Sequence, residues 1–386
     1  MVVDGTLYLG TGGLNDQSGL VLALDAATGH ELWRFDGGPF LSSPTVDDGL
    51  VYAAGFDGIL YVLNAADGAV ARRFSPCGVT YCPSGSSPDV REGLALATFG
   101  CFGPGDATDG SASWTDLSGY LVAFDAKTGS SRWAFRMNGF APLASPAVGD
   151  GVVVVAASAN AERTQGTAHA VDVRTGDELW RFDASTGFES TPAIAEGLVL
   201  VRGASGQLFA LDLKTGLERW RFDAGSFAAS APAVRDGTVY VSDGVETVTA
   251  LDAATGMVAW RGSPGRLASG APVATDKFVY VGGTGGILHR LDRVTGEVDA
   301  DGRIEVTRPL SAVNTEAWVG GEVVYVVNDH GVVVALGDTR STIPIEEGRP
   351  AQVAQDGAIL RAAPSTSAVE RATLRAGTML LVIGTA

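Results

Sequence analysis

The chain has 386 residues and a formal net charge of −17, with 27 Lys and Arg against 44 Asp and Glu. This acidic balance argues against nucleic acid or an anionic membrane as a partner, since both require basic patches. Fifty-two glycines and 18% charged residues are typical of a turn-rich, all-β protein. No apolar run reaches the roughly 18 residues of a membrane-spanning helix. Residues 1–5 lack the basic start and apolar core of a signal peptide, so none is expected in this chain.

One motif, Asp-Ala-x-Thr-Gly-x-x-x-Trp, recurs along the chain at a step near 40 residues. Its copies with a Trp are Asp25, Gly29 and Trp33; Asp125, Gly129 and Trp133; Asp172, Gly176 and Trp180; Asp212, Gly216 and Trp220; and Asp252, Gly256 and Trp260. Weaker copies begin at Asn64, Asp292 and Leu336. A steady period of this length predicts one supersecondary unit, repeated and stacked into a single body.

Residues 43–73 show the predicted unit, which consists of four short strands separated by turns. In the turn before the fourth strand, Asp or Asn is expected to accept backbone N–H groups two or three residues on. The closing Gly supplies a positive φ. The Trp then lies on the outermost strand, where its ring is expected to pack against the next unit.

Four-stranded units of about 40 residues predict an all-β fold, a β-propeller of antiparallel blades. Eight copies of the third-strand turn predict an eight-bladed β-propeller over residues 1–345. Residues 1–5 align with residues 45–49, so the chain is expected to begin inside the first strand of blade one, as a truncated start.

The blades resemble the pyrroloquinoline-quinone-like (PQQ-like) propeller repeats. They read Ser-x-Pro-x-Val-x-Asp-Gly, then Val-Tyr-Val-Gly, then Leu-Tyr-Ala-Leu-Asp-x-x-Thr-Gly-x-x-x-Trp. That superfamily holds quinoprotein dehydrogenases and the non-catalytic outer-membrane assembly lipoprotein of the BamB type. Blades two, seven and eight depart from the pattern, because Arg72 and Ala300 replace the Trp and blade eight has only Leu336-Gly337-Asp338. Packing between blades is expected to differ there.

The end of the chain has another pattern. Residues 346–350 are interpreted as a linker, and residues 351–386 resemble the opening half of a bacterial SH3-like domain, with Leu360-Arg361 before Pro364-Ser365 and a turn at Ala376-Gly377-Thr378. Such a domain implies cell-wall or peptide contact. The alternative is that this tail supplies a missing strand to blade one and closes the ring.

Insertions identify the expected working face. They fall at residues 10–19, 75–86, 100–118 and 158–166, in the second-to-third and fourth-to-first connections, which share one face of a propeller. The two insertions of blade three hold all three cysteines. Cys101 is expected to bond to Cys82 or Cys77, and a hairpin disulfide between Cys77 and Cys82 is the rival.

Aromatic and acidic residues on this face give two sets of candidates. The partner-binding candidates are Tyr81, Phe102, Trp114, Phe40, Phe140, Phe188 and Phe227. The four phenylalanines recur before first strands, so their main interpretation is packing, and partner contact is the minor one. Asp106, Asp109 and Asp116 form a weak calcium candidate, for which a solvated acidic loop is the favoured interpretation.

The sequence predicts a binding protein that has no catalytic residues and no cofactor. Its four His residues fall in separate blades, and no nucleophile–base pair is apparent. The resemblance implies an extracytoplasmic scaffold for a protein or peptide, BamB-like and expected to be monomeric, acting through the long loops of blades three and four. The alternatives are a dehydrogenase using PQQ and calcium, and the sensor domain of a larger signalling protein.

Overall fold

The computed structural model describes residues 1–12, 18–26, 28–76, 82–102, 117–137, 139, 144–159, 163–188, 190–225, 230–267, 270–284, 287–299, 304–305, 317–320, 323–327, 333–337, 351–352, 358–361, 371–374 and 379–383. Within these ranges the regular elements are all β-strands, and none of them is a helix that could cross a membrane.

Two compact units divide the chain. Unit 1 comprises Met1, Tyr8–Ala23 and Trp33–Asp223, and unit 2 comprises Val2–Leu7, Leu24–Leu32 and Ala224–Ala386. Blades two to five lie wholly in unit 1, and blades six to eight lie wholly in unit 2. The strands of blade one are divided between unit 1 and unit 2.

Each of the first seven blades is a sheet of four antiparallel strands in chain order. Blade one consists of β1 (Val2–Val3), β2 (Thr6–Gly10), β3 (Gly19–Asp25) and β4 (Glu31–Gly37). Blade two consists of β5 (Thr45–Asp47), β6 (Leu50–Ala54), β7 (Leu60–Asn64) and β8 (Val70–Phe74). Blade three consists of β9 (Asp89–Arg91), β10 (Leu94–Phe102), β11 (Leu117–Asp125) and β12 (Ser131–Arg136). Blade four consists of β13 (Ala147–Gly149), β14 (Val152–Ser158), β15 (Gly166–Asp172) and β16 (Glu178–Ala184).

The next three blades follow the same plan. Blade five consists of β17 (Ala193–Ala195), β18 (Leu198–Arg202), β19 (Gln207–Asp212) and β20 (Glu218–Asp223). Blade six consists of β21 (Ala233–Arg235), β22 (Thr238–Ser242), β23 (Val248–Asp252) and β24 (Val258–Gly262). Blade seven consists of β25 (Val273–Ala274), β26 (Phe278–Gly283), β27 (Ile287–Asp292) and β28 (Ile304–Glu305).

The eighth sheet is built differently. Its strands are β29 (Ala317–Gly320), β30 (Val323–Val327), β31 (Val333–Gly337), β32 (Ala351–Gln352) and β35 (Met379–Ile383), in the spatial order β29-β30-β31-β35-β32. A separate hairpin pairs β33 (Ala358–Arg361) with β34 (Arg371–Leu374). The tail therefore adds two strands, β35 and β32, to blade eight, and the alternative that it supplies a missing strand to blade one is wrong, since β1 to β4 already complete that blade. The SH3-like segment and its boundaries stay a prediction.

Two kinds of turn close one end of blades one to six. The first-to-second turns place two successive residues at positive φ, such as Asp48 at 45° and Gly49 at 72°, as a tight hairpin turn of the primed type requires. In the third-to-fourth turns an Asp carboxylate accepts backbone N–H groups. In blade five, Asp212 Oδ1 accepts those of Lys214 and Thr215 at 3.1 and 2.9 Å.

Within a unit, the Trp of a motif packs against the next blade. Trp180 is 8% exposed, and its Nε1 donates to the carbonyl of Leu213 in blade five at 2.8 Å. Its ring lies so close to Gly216 that a Cβ added there would approach it to 2.6 Å. Gly216 also has a φ of +69°. Glycine is required at this position by backbone conformation and by the neighbouring ring.

The same contact joins other blades within each unit. Trp33 donates to Ala65 at 2.8 Å and Trp133 donates to Val173 at 3.1 Å, both in unit 1. Trp260 donates to Arg293 at 3.0 Å in unit 2.

Blade two lacks the Trp and uses another ring. Phe74, two residues beyond Arg72, lies against Gly129 of blade three, where an added Cβ would stand 2.2 Å from the ring. Phe74 also packs on Phe124, with ring centroids 5.2 Å apart. A phenylalanine thus fills the place of the missing indole.

Candidate binding surface

The second-to-third and fourth-to-first connections lie at the other end of the blades, because successive strands run in opposite directions. In unit 1 the long ones span residues 11–18, 75–88, 103–116 and 159–165, between the strands already named. All four therefore belong to the long-loop end, in the two classes of connection that the sequence indicates.

In unit 1, backbone hydrogen bonds hold two of the fourth-to-first connections between the second-to-third loops on either side of them. Between blades one and two, Phe40 N donates to Thr11 O at 2.9 Å, and Phe56 N donates to Pro39 O at 2.7 Å. Between blades four and five, Gly187 N donates to Arg163 O at 2.7 Å and Ala204 N donates to Gly187 O at 2.7 Å. The described parts of two long loops of unit 1, at Thr11 and Arg163, are thus bonded to the neighbouring connection.

Blade three carries the longest hairpin of this end among the seven four-stranded blades. Strands β10 and β11 have nine residues each and stay in register from the pair Leu94↔Asp125 out to Phe102↔Leu117. Strands β6 and β7 of the preceding blade have five residues each. The insertion at residues 103–116 therefore follows a hairpin of nine residue pairs, against five pairs in the preceding blade.

Cys82 anchors the second long connection of blade three. Its side chain is 1% exposed, is disulfide-bonded and belongs to an apolar cluster with Phe74 and Phe99. A Cβ on Gly58, which has a φ of +83°, would stand 2.8 Å from the Cys82 carbonyl oxygen. The partner of the bond is Cys77 or Cys101, and both of those side chains lie outside the described residues.

A row of hydroxyl groups, which we call the hydroxyl belt, joins successive blades of unit 1 just before their first strands. Ser43 N donates to Ser87 Oγ at 3.2 Å, Ser87 N donates to Ser145 Oγ at 2.8 Å, and Ser145 N donates to Thr191 Oγ1 at 3.2 Å. Each of these four residues precedes a proline. In unit 2 the residues before Pro232 and Pro272 are Ala231 and Ala271, which have no hydroxyl group.

Two aromatic candidates are buried inside the blades. Phe40 is 2% exposed and packs edge-on against Tyr61, with ring centroids 5.6 Å apart. Phe188 is 1% exposed and packs on Phe209 at 5.9 Å. Neither ring offers a surface to a partner in this structure. The other aromatic candidates, Tyr81, Phe102, Trp114, Phe140 and Phe227, have side chains outside the described residues.

Two polar side chains inside the blades are satisfied by internal partners. The Tyr61 hydroxyl donates to Asp57 Oδ2 at 2.6 Å, and burial together with this bond raises the pKa of Tyr61 well above its usual value. His169 is 3% exposed and its Nδ1 lies 2.7 Å from Glu178 Oε1. Burial lowers the pKa of His169, while Glu178 opposes that shift. The first bond joins β7 to the loop before it, and the second joins β15 to β16.

Neither a catalytic set nor a metal site appears within the part of the chain that the structure describes. No group of three or more His, Cys, Asp or Glu residues lies close enough there to hold a metal ion. The calcium candidates Asp106, Asp109 and Asp116 fall outside the described ranges.

Sequence reasoning missed two features of this end. One is the hydroxyl belt, although its Ser-Pro and Thr-Pro steps recur visibly. The other is Arg202, which is 1% exposed at the end of β18. The corresponding second strands end in Gly10, Ala54 and Ser242. Both features could have been found by comparing equivalent positions in the successive repeats.

Comparison with known proteins identifies the repeat. A family model described as "Outer membrane protein assembly factor BamB" matches residues 1–75 and 164–377. The matched ranges leave out residues 76–163, which hold the β10–β11 hairpin and the three cysteines. The BamB structure from Moraxella catarrhalis has a TM-score of 0.65 at 17% identity, covering 89% of this chain and 94% of that one. That likeness confirms the predicted propeller fold.

Two curated proteins are similar over parts of their length. One, the outer membrane protein assembly factor BamB of Yersinia pestis, is 27% identical over 220 residues, which are 50% of this chain and 49% of that protein. The other, the quinohemoprotein alcohol dehydrogenase ADH-IIG of Pseudomonas putida, is 29% identical over 169 residues, 41% of this chain and 21% of the enzyme. The chain thus spans at most about half the length of these relatives. On the family match over most of its residues, the chain belongs to the BamB family of PQQ-repeat propellers.

Proposed function

We propose that this propeller is a non-catalytic scaffold that binds a protein or peptide through the long-loop end of blades three and four. The observation that carries the proposal is the nine-residue β10–β11 hairpin. Binding residues are commonly found on loops that a rigid sheet positions. Here the sheet extends toward its longest insertion, and disulfide-bonded Cys82 fixes the adjacent connection.

The disulfide also supports a location outside the cytoplasm. Disulfides persist in oxidising compartments and are rare where glutathione keeps thiols reduced. The relatives named outer membrane assembly factors agree with that location. Trapping free thiols in intact cells tests it: alkylation of Cys82 before any reduction step would place the protein in a reducing compartment.

Site-specific photo-crosslinking tests the binding face. A photoreactive residue at Trp114, in the insertion, is expected to yield a discrete adduct in cells that naturally express the protein. The matched control places the same residue at Lys127, an exposed position in the short turn of the same blade. Equal adducts at both positions, or an adduct at Lys127 alone, would refute the proposed face.

The second candidate function is a quinoprotein dehydrogenase, which the similarity to the Pseudomonas putida enzyme favours. The residues that the structure describes provide no cluster of calcium ligands, so they do not fit the PQQ and calcium pair, and we derive no step through either group. Purified protein supplied with PQQ and calcium is expected to give no dye-coupled alcohol oxidation. Sustained turnover would replace the scaffold proposal with the enzyme.

A further inference from the structure

Residues 82–86 of the connection that leads into blade three lie beside the second half of strand β10. Gly100 N donates to Pro83 O at 2.9 Å, and Thr98 N donates to Ser86 Oγ at 3.0 Å. The partner on β10 moves forward from Thr98 to Gly100 as the connection moves backward from Ser86 to Pro83. The two segments therefore run antiparallel at this point.

The next position along both segments brings two cysteines opposite each other, Cys82 in the connection and Cys101 on β10. Directly opposed residues of antiparallel segments have Cα atoms about 4.5–5.5 Å apart. A disulfide joins residues whose Cα atoms are about 4.4–6.8 Å apart. This placement of the backbone therefore fits the span of a Cys82–Cys101 bond.

Position 101 also belongs to the appropriate face of β10. Ala95, Ala97 and Phe99 lie in the apolar cluster that contains the Cys82 side chain. Successive residues of a strand alternate between its two faces, so position 101 shares the face of these three residues. The buried, disulfide-bonded Cys82 is thus on the side of the strand to which Cys101 belongs.

We propose that Cys82 and Cys101 form this disulfide, and that the bond positions the base of the proposed binding face. Cys101 lies two residues before the insertion at 103–116, and Cys82 lies in the connection at 75–88. The bond joins the two long connections of blade three, and the third cysteine, Cys77, keeps its thiol. The positioning role rests on the proposed function, whereas the pairing does not.

Formation of the bond breaks both S–H bonds and joins the two sulfur atoms. The two hydrogen atoms, which are two protons and two electrons, reduce a disulfide of the oxidant to a dithiol. An external dithiol reverses the exchange and separates the two connections again. The base of the face is therefore held covalently only where disulfides persist.

Mass spectrometry of the unmodified full chain tests the pairing. Thiols are blocked with an alkylating agent without reduction, and the chain is then digested with trypsin and chymotrypsin. Cleavage after Tyr81 separates Cys77 from Cys82, so each possible pair gives fragments of a different mass. We expect a fragment that joins Cys82 to Cys101, with the alkyl group on Cys77. A fragment that joins Cys77 to either of the others, or three alkylated cysteines, would overturn the assignment.

Two variants of the full chain test the positioning role by hydrogen exchange. Cys77→Ser keeps the proposed bond, and Cys77→Ser combined with Cys101→Ser removes it. We expect the Gly100 amide to exchange about tenfold or more faster in the double variant, because this N–H donates to the connection that the bond holds. The Val154 amide, in β14 of blade four, is the control and is expected to exchange equally in both variants.

These measurements need no partner, so they are independent of whether photo-crosslinking supports the proposed face. Equal exchange at Gly100 in the two variants would overturn the positioning role. An equal acceleration at Gly100 and Val154 in the double variant would also overturn it, because the bond would then stabilise the blades generally. Alkylation of Cys82 in the unreduced Cys77→Ser variant would contradict the pairing.

Discussion

The two ends of each blade differ in how strictly their chemistry repeats. At the short-turn end, the same Asp and Gly positions recur, and in both units a Trp is bonded to the next blade's turn. At the long-loop end, connections range from the three residues between β26 and β27 to the fourteen of residues 75–88 and of residues 103–116. The comparison shows that the inter-blade contacts made by large side chains lie at the short-turn end, while the connections at the other end vary in length.

The two ends differ because their blades are joined by different kinds of contact. The Trp ring covers the glycine of the adjacent turn, so a change on either side of the contact disturbs two blades. At the long-loop end the blades of unit 1 are joined mainly through backbone groups and small hydroxyls. Those contacts tolerate many sequences in the loops beyond them.

The largest expected effect is at the short-turn end. Trp180→Ala removes a nearly buried indole and its bond to Leu213, so the free energy of unfolding is expected to fall by about 3–5 kcal/mol. Arg181→Ala, next to it and 51% exposed, is the control and is expected to change stability by less than about 0.5 kcal/mol. Urea denaturation measures both. Similar losses of unfolding free energy in the two variants would mean that the Trp contact is not what stabilises the short-turn end.

Substitutions at two glycines distinguish the cost of backbone strain from the cost of contact with the Trp180 ring. Gly197 has a φ of +75° with nothing within 4 Å of an added Cβ, whereas Gly216 has a φ of +69° and faces Trp180. Gly197→Ala is expected to cost about 1–2 kcal/mol from the left-handed conformation alone. Gly216→Ala is expected to cost about 1–3 kcal/mol more from overpacking. Equal losses in thermal or urea unfolding would show that the ring moves aside freely.

The hydroxyl belt should yield a smaller change at the long-loop end. Ser87→Ala removes the hydroxyl that accepts a hydrogen bond from Ser43 N, so the free energy of unfolding is expected to drop by about 1 kcal/mol. Ser131→Ala, at an exposed position on β12, serves as the matched control and is expected to have no measurable effect. A loss comparable to that of Trp180→Ala would overturn the contrast between the two ends.

The smallest expected effect is the pH dependence of His169. Burial lowers its pKa below the unfolded value near 6.5, so the unfolded chain takes up the proton first as pH falls. The associated stability is complete above about pH 6.5 and is lost below it, by at most about 1.4 kcal/mol per pH unit. Glu178 and Asp183 work against the shift and Arg181 favours it. His169→Gln should reduce the decline in the free energy of unfolding between pH 7.5 and 5.5. An unchanged slope would show that His169 is not the cause of that decline.

Much of the fold could be predicted because its determinants are local. Asp212, Thr215 and Gly216 form a turn within five residues, and a 40-residue period fixes the blade that each turn ends. The replacement of Trp by Phe74 was not predicted. Arg72 occupies the aligned position, and only packing shows that a ring two residues later reaches Gly129.

The candidate surface was predicted only in outline. The insertions and their shared end follow from the alternation of strands, and the sequence gives both. Whether Phe40 and Phe188 face a partner or the interior depends on rings from other strands, such as Tyr61 and Phe209. The hydroxyl belt likewise joins residues 44 to 58 positions apart.

The sequence by itself determined the repeated unit, its turns and the end at which it varies, because each depends on a few consecutive residues read at a fixed period. Only the tertiary structure decided which strand completes blade eight, since β31 and β35 carry no local signal across 41 residues. It also decided which aromatics are buried and that Cys82 is oxidised. These outcomes depend on contacts between distant segments, and the amino-acid sequence alone does not show which segments are in contact.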